Sequence, residues 1–231
     1  MAERQAQPDP ALPPAAPHRP TLILGSASPA RATLLGNAGI TPIIWPSRVD
    51  EDALIADAGD RATDPITVTQ LLATAKARDV ADQVRSGSVP GIPAGPVLVI
   101  GADSMLDFGG EVLGKARTAA EVRQRWAAMS GQAGVLVTGH TVIDLATDRQ
   151  VERTVATTVR FGHPDALELE AYIESGEPFA VAGSCTIDGL GGPFIEGIDG
   201  DHTNVIGLSL PALRALLAEL GVRWTDLWDP A

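Results

Sequence analysis

The chain has 231 residues, 45% hydrophobic and 20% charged, proportions that fit a folded globular protein and exclude a disordered one. Its 17 basic and 29 acidic residues leave a net charge of −12. That charge argues against polymeric nucleic acid or an anionic membrane as partner, because both reward a basic face. A single cysteine excludes a disulfide framework and any multi-cysteine metal site, and apolar runs such as residues 97–100 fall far short of the roughly 20 residues needed to span a bilayer.

Residues 1–20 are rich in Pro and Ala without apolar periodicity and read as a flexible extension. They also lack the continuous apolar segment of a secretory signal, so the expected location is cytoplasmic. Residues 21–24 form a short β run that meets Gly25-Ser26-Ala27-Ser28-Pro29. A helix is predicted over 30–38, closed by Gly39, and a strand over 42–45. Residues 66–84 carry a helical period with Leu71, Leu72 and Ala75 on one face and Lys76 beside them. The Gly/Pro-rich stretch 87–96 is a loop, and 97–100 reads as a strand buried on both faces. Glu111-Val112-Leu113 looks like a strand, and 118–129 a helix with Thr118 as N-cap. Residues 134–144 and 151–161 suggest an antiparallel pair joined by Ala146-Thr147-Asp148-Arg149. A helix over 164–174 follows, then Gly-rich turns and short strands over 183–198, and an amphipathic helix over 210–220. Helices and strands interleave, but the hairpin forbids a wholly parallel sheet, so the fold class is mixed α/β. The domain is expected to run from 21 to 223, with 224–231 as a tail.

Several short motifs carry polar chemistry. Ser28 is placed to cap a helix whose first residue is Pro29, leaving free N–H groups and Arg31 in the first turn. Such a helix start attracts anions, and a guanidinium adds bidentate phosphate recognition. A plain N-cap beside a surface arginine explains the same residues. Gly101-Ala102-Asp103-Ser104 follows the buried strand, and an acid at the carboxyl end of a central strand is where α/β proteins commonly place chemistry; a turn aspartate is the alternative. Val49-Asp50-Glu51-Asp52 is a second acidic cluster, ordinarily a solvated loop. Gly109 and Gly114-Lys115 approach a P-loop, but Ala116 stands where a magnesium-binding hydroxyl belongs and no helix starts at the lysine. Lys115 therefore remains simply a cation in the region of Asp103. Residues 199–204 suggest a calcium loop, but Asn204 and Leu210 occupy the positions of its glycine and bidentate glutamate. The four histidines show no metal spacing, and nothing marks Cys185 as catalytic.

The order of these signals along the chain is more specific than any one of them. Ser26-Ala27-Ser28-Pro29-Ala30-Arg31 comes first, then Asp50-Glu51, Lys76-Ala77, Gly101-Ala102-Asp103-Ser104, Leu113-Gly114-Lys115, Ser130-Gly131 and Thr138-Gly139. Ala182-Gly183, Ile187-Asp188-Gly189 and residues 200–208 complete the series. It resembles the Maf family of nucleoside triphosphate pyrophosphatases over nearly all of 21–222. The resemblance implies an elongated mixed β-sheet flanked by helices, of the inosine-triphosphatase-like kind, with a central cleft. It also implies hydrolysis of a nucleoside triphosphate to the monophosphate and pyrophosphate with Mg²⁺ or Mn²⁺, and is compatible with a homodimer.

By the same resemblance Glu51 and Asp103 hold the metal, and Asp103 is the candidate base for the attacking water. Ser26, Ser28, Arg31, Lys76 and Lys115 bind the phosphates. Ala30, Ser104 and Asp188 stand at positions that help choose the base, and here the chain departs from the family. Ala30 replaces an arginine, Ser104 a threonine and Asp188 a glutamine, while Val181 replaces a lysine. The substrate expected is thus a nucleoside triphosphate, standard or modified, whose base is left open. A non-catalytic nucleotide-binding regulator of cell division is the rival reading, and an unrelated sugar-phosphate enzyme a weaker third.

Overall fold

The computed structural model describes residues 19–59 and 64–230. The expected extension over 1–20 lies, up to residue 18, outside the described residues. Arg19 pairs with Asp229 and Pro20 is buried.

Strand β1 (Thr21–Leu24) leads through the Ser26–Ser28 turn into helix α1 (Pro29–Asn37), followed by the short strand β2 (Ile43–Ile44). Next comes helix α2 (Glu51–Ala58), where a solvated loop was expected. The acids that suggested a loop are a helix start: the Asp50 carboxylate accepts the Ala53 N–H at 3.0 Å, and Glu51 and Asp52 lie at the positive end of the helix dipole. Helix α3 (Pro65–Arg85) is capped by Asp64, which accepts from the N–H groups of Ile66 and Thr67. Strands β3 (Val97–Phe108) and β4 (Glu111–Leu113) precede α4 (Ala119–Met129), which Thr118 caps as predicted. The hairpin of β5 (Ala133–Asp144) and β6 (Arg149–Phe161) turns through Asp148, whose φ of 58° is left-handed. Helix α5 (Ala166–Glu174) carries a capping box between Asp165 and Glu168. Strand β7 (Ile195–Asp199), α6 (His202–Ile206) and α7 (Leu210–Glu219) complete the domain. Residues 224–230, read from sequence as a tail, pack against it: Leu227 is fully buried and the Asp229 N–H donates to the Gly39 carbonyl at 2.8 Å.

The strands form one mixed sheet in the order β2-β1-β3-β5-β6-β7, with β4 added to β3. Strand β1 is parallel to β2 and β3, and every other pair is antiparallel. Expected to stop at Ile100, β3 instead runs to Phe108, because β5 pairs with it from Leu98 to Asp107. Asp103 is therefore inside a strand. On the other edge, however, β1 pairs only up to Ile100 and β4 only from Leu106. Residues 101–105 of β3 thus have no strand partner on that edge.

Alternation along β3 separates two faces. Leu98, Ile100 and Ala102 join a core with α1 and α7 residues such as Leu34, Leu35, Leu213 and Leu216. Val99, with Ile23 and Ile143, packs against Ala77, Val80 and Ala81 of α3. Past the gap, Leu106 enters another core built by Trp126, Met129, Phe161, Tyr172 and Ile173. The sheet is thereby divided into two lobes, with Asp103 at their junction.

Two glycines set how closely α3 lies on the sheet. A Cβ at Gly101 would overlap the Ala73 carbonyl and stand 2.7 Å from the Ala77 nitrogen; one at Gly139 would collide with the Thr69 carbonyl and stand 2.7 Å from the Gln70 nitrogen. No helix among the described residues is long and apolar enough to cross a membrane.

Gly101→Ala should therefore cost at least about 1–3 kcal/mol, since the obstacle is backbone that cannot rotate away. Gly36, in α1 with open space around it, is the control: Gly36→Ala should gain about 0.5–1 kcal/mol. Urea midpoints for both variants test this, and equal stability of Gly101→Ala and the parent would show that the close approach is not constrained.

Candidate active site

Beyond Ile100, the Gly25 N–H still donates to the Ile100 carbonyl at 2.7 Å, so the turn leaves β1 right beside the open edge of β3. Ser28 caps α1 through the Arg31 N–H at 3.5 Å and donates its own N–H to Ser26 Oγ at 3.2 Å. Arg31 does not point outward. Its Nε donates to the Gly207 carbonyl at 2.7 Å, one terminal nitrogen to Ser26 Oγ at 2.9 Å and the Ala102 carbonyl at 2.8 Å, and the other to Ser104 Oγ at 3.0 Å. Burial lowers its pKa from the ordinary value, opposed by the nearby charges of Asp103 and Glu51. Arg31 thus ties together the turn, the open edge of β3 and the end of α6. Ser104 also shares a hydrogen bond with Thr138 Oγ1 at 2.9 Å, and Thr138 in turn reaches the Asn204 carbonyl at 3.2 Å.

Asp103 faces the other way, toward α3. Its Oδ1 accepts from Lys76 Nζ at 2.6 Å, and the same ammonium lies 2.8 Å from Glu51 Oε1. The Lys76 and Asp103 side chains are only 9% and 10% exposed, whereas Glu51 is 49% exposed. Burial raises the Asp103 pKa above the usual carboxylate range, and the positive charges of Lys76 and Arg31 hold it back. Three residues distant in sequence are thus brought to one point: Lys76 because α3 rests on Gly101, Asp103 because β3 passes beneath, and Glu51 because α2 starts there.

The remaining predicted residues stand elsewhere. The Lys115 side chain is exposed and has no hydrogen-bond or ion-pair partner among the described residues. The antiparallel course of β4 leads it back along β3 toward the gap, where it forms an isolated bridge with Ala182. Ala30 is half-buried in the first turn of α1. Asp188 is exposed at the tip of a loop in the second lobe and is not in the cluster around Asp103.

The carboxylates of Glu51 and Asp103 converge on one cation, which is the donor chemistry that Mg²⁺ or Mn²⁺ requires. Among the described residues no group of three or more His, Cys, Asp or Glu could complete a protein cage. That set fits Mg²⁺, which is typically held by one or two carboxylates with substrate phosphates and water supplying the rest.

His140, dismissed as a metal ligand on spacing, has a structural task. It is fully buried, accepts the Ser209 N–H at Nε2 (2.8 Å) and lies 3.1 Å from the Arg153 carbonyl through Nδ1. The first contact requires an unprotonated Nε2, so the neutral Nδ1–H tautomer is fixed. Burial lowers its pKa to about 4, with Arg31 adding to the effect and the backbone contacts and Asp201 opposing it. Gly207 belongs to the motif run over 200–208, but no local pattern announces that its carbonyl receives Arg31, a contact between residues so far apart.

Fold and site together define an α/β protein whose two lobes meet at a buried aspartate, a shared ammonium and a second carboxylate. The Maf-like protein family matches residues 21–220, and the chain belongs to it. It is 50% identical over 213 residues to a nucleoside triphosphate pyrophosphatase of Streptomyces coelicolor, covering 92% of this chain and 97% of that protein. Proteins of the same name from Saccharopolyspora erythraea and Mycobacterium sp. (strain JLS) are 47% and 46% identical, each covering 90% of this chain and 97% of the relative.

The two lysines should behave differently. Lys76→Ala leaves a buried carboxylate without its cation and should destabilise by up to about 3–5 kcal/mol, whereas Lys115→Ala should change stability by less than about 0.5 kcal/mol. Thermal melts decide: equal melting of Lys76→Ala and the parent would mean that the shared ammonium contributes nothing to the fold.

His140 supplies a pH test. Its folded pKa near 4 lies below the unfolded value near 6.5. The unfolded state therefore takes up the proton first, and stability present above about pH 6.5 is lost as pH falls toward 4, by about 3 kcal/mol in all. His140→Gln should be less stable at pH 7 and flatter across this window; an unchanged slope in urea melts would exclude His140 as its source.

Proposed function

We propose that this protein hydrolyses a nucleoside triphosphate to the monophosphate and pyrophosphate at the junction of its lobes. The observation that carries the reading is the Lys76 ammonium shared by Asp103 and Glu51 beside the open edge of β3. Water attacks one phosphorus of the anhydride, its proton passes to Asp103, and the bridging oxygen leaves with the bonding electrons on pyrophosphate. A raised pKa suits Asp103 to accept that proton. Lys76 keeps the carboxylate oriented and offsets charge that develops on the phosphate oxygens. Lys115, exposed and uncommitted, offers a second cation, and the Ser26 and Ser28 hydroxyls offer donors at the start of α1. Arg31 serves phosphate binding indirectly, by holding that turn in place. Glu51 and Asp103 are the residues that would hold Mg²⁺ or Mn²⁺, which when bound supplies charge neutralisation at the phosphate.

Base selection follows from the departures noted above. Ala30 is too short to reach a base edge as an arginine does, and Ser104 spends its hydroxyl on Arg31 and Thr138. Asp188, when ionised, only accepts hydrogen bonds, which favours a base presenting N–H donors. The regulator reading is less favoured, because the relatives are named for catalysis.

Asp103→Asn keeps the size of the side chain and loses its basicity. Turnover should fall by about 10²–10⁴-fold, with pyrophosphate and not orthophosphate as the parent's product in Mg²⁺ or Mn²⁺ buffers. A variant that keeps more than about a tenth of the activity would remove Asp103 as the base, and orthophosphate release would overturn the reaction class.

A further inference from the structure

The loop that ends in β7 is closed by one carboxylate. Glu177, in a short 3₁₀ turn after α5, accepts the Thr186 hydroxyl and the Gly191 N–H (3.0 Å) on Oε1, and the Leu190 N–H (3.0 Å) on Oε2. The first of these residues opens the loop and the other two close it, so Glu177 pins both ends and leaves Ile187, Asp188 and Gly189 as the tip. The packing is tight: a Cβ at Gly191 would stand 2.9 Å from the Thr186 backbone N and O, which cannot rotate away, and one at Gly189 would displace the Glu177 carboxylate. Burial works against ionisation, but the Thr186 hydroxyl, the Leu190 and Gly191 N–H groups and the Tyr172 hydroxyl together hold the Glu177 carboxyl below its ordinary pKa.

The frame on either side is anchored by a hydrogen bond and by ring packing. Trp126 Nε1 donates to the Ser184 carbonyl at 3.1 Å, and Tyr172 packs edge-on against Phe194 with centroids 5.7 Å apart. The same segment reaches the reaction site, since the Gly183 N–H donates to the Gly114 carbonyl at 3.3 Å and Ala182 bridges Lys115. Arg125 clamps this junction through the Gly114 carbonyl at 2.6 Å and Ser184 Oγ at 3.2 Å.

We propose that Glu177 is a positioning residue for nucleotide selection, holding the 186–191 loop so that Asp188 is presented to the base in one fixed geometry. The inference rests on the reading of Asp188 given above. Glu177 itself does not touch substrate; it acts by removing the freedom of the loop tip. Loss of that restraint leaves Asp188 in place chemically but spreads it over many orientations, which weakens discrimination more than chemistry.

The test uses the full chain and a panel of purine and pyrimidine nucleoside triphosphates, with kcat and KM measured for the parent, Asp188→Ala, Glu177→Gln and the double variant. The amide of Glu177→Gln keeps the shape but sets an NH2 against N–H donors. Asp188→Ala should change the ratio of kcat/KM between the best and worst substrates by at least about fivefold. Glu177→Gln should change it in the same direction, chiefly through KM, and the double variant should go no further than Asp188→Ala. Thr186→Val, which removes a single bond to the carboxylate, should give a smaller shift of the same sign and decides the matter if Glu177→Gln does not fold. If Glu177→Gln or Thr186→Val slows all substrates equally while Asp188→Ala alters the ratio, Glu177 is only structural and the inference fails by itself. If Asp188→Ala leaves the ratio unchanged, the reading of Asp188 fails and the inference falls with it.

Discussion

The ammonium of Lys76 between the Asp103 and Glu51 carboxylates is the contact on which the site is organised. Taking an aspartate and a lysine out of water costs several kcal/mol for each ion, and their attraction offsets this only at close range and good geometry. The close range is a matter of backbone, because α3 can press against β3 and β5 only where Gly101 and Gly139 leave no Cβ in the way. The glycine of the Gly-Ala-Asp motif therefore has a definite task. It lets the helix approach, and the acid two residues later on the same face of the strand meets the lysine that the helix carries.

The sheet keeps this cluster separate from a second polar system on its opposite face. Successive side chains of a strand alternate, so Asp103 turns to α3 while Ser104 turns to α1 and α6. On that second face Arg31 joins Ser26, Ala102, Ser104 and Gly207, tying the Ser26–Ser28 turn to the central strand. Its donors are directed at protein acceptors, so a basic residue next to a helix start is here chiefly a brace. The open edge of β3 between β1 and β4 is what lets the turn come so near, since a continuous strand there would have filled the space with a backbone ladder.

The second lobe contributes through its own anchors. The Trp126, Phe161, Tyr172 and Phe194 rings pack edge to face, with centroid separations of 5.7–6.4 Å. This aromatic frame carries the segment that bridges Lys115 and continues into the loop of Asp188. The two lobes are thus joined by long strands yet bring different residues to the gap: carboxylates and a paired lysine from one side, and from the other Lys115, whose side chain has no ion-pair partner among the described residues.

Much of this was legible in the residues themselves. Periodicity and caps such as Ser28 and Thr118 placed most helices, and the long β5–β6 hairpin announced a mixed sheet, because these features depend on neighbours in the chain. The order of the short motifs carried the family, and Asp103, Glu51 and Lys76 were all singled out before any of them had a position in space. Local patterns misled where two explanations share the same residues. The acids at 50–52 read as a loop and are a helix start, and β3 was cut short because nothing in 101–108 shows that β5 will pair with it. Only the tertiary structure decided that Arg31 points inward, that the Ser209 N–H donates to a buried His140, and that Glu177 closes the loop of Asp188. Each of these depends on a hydrogen bond between residues remote in sequence, and such a bond exists only once the chain has folded and brought its donor and acceptor within 3 Å or so of each other.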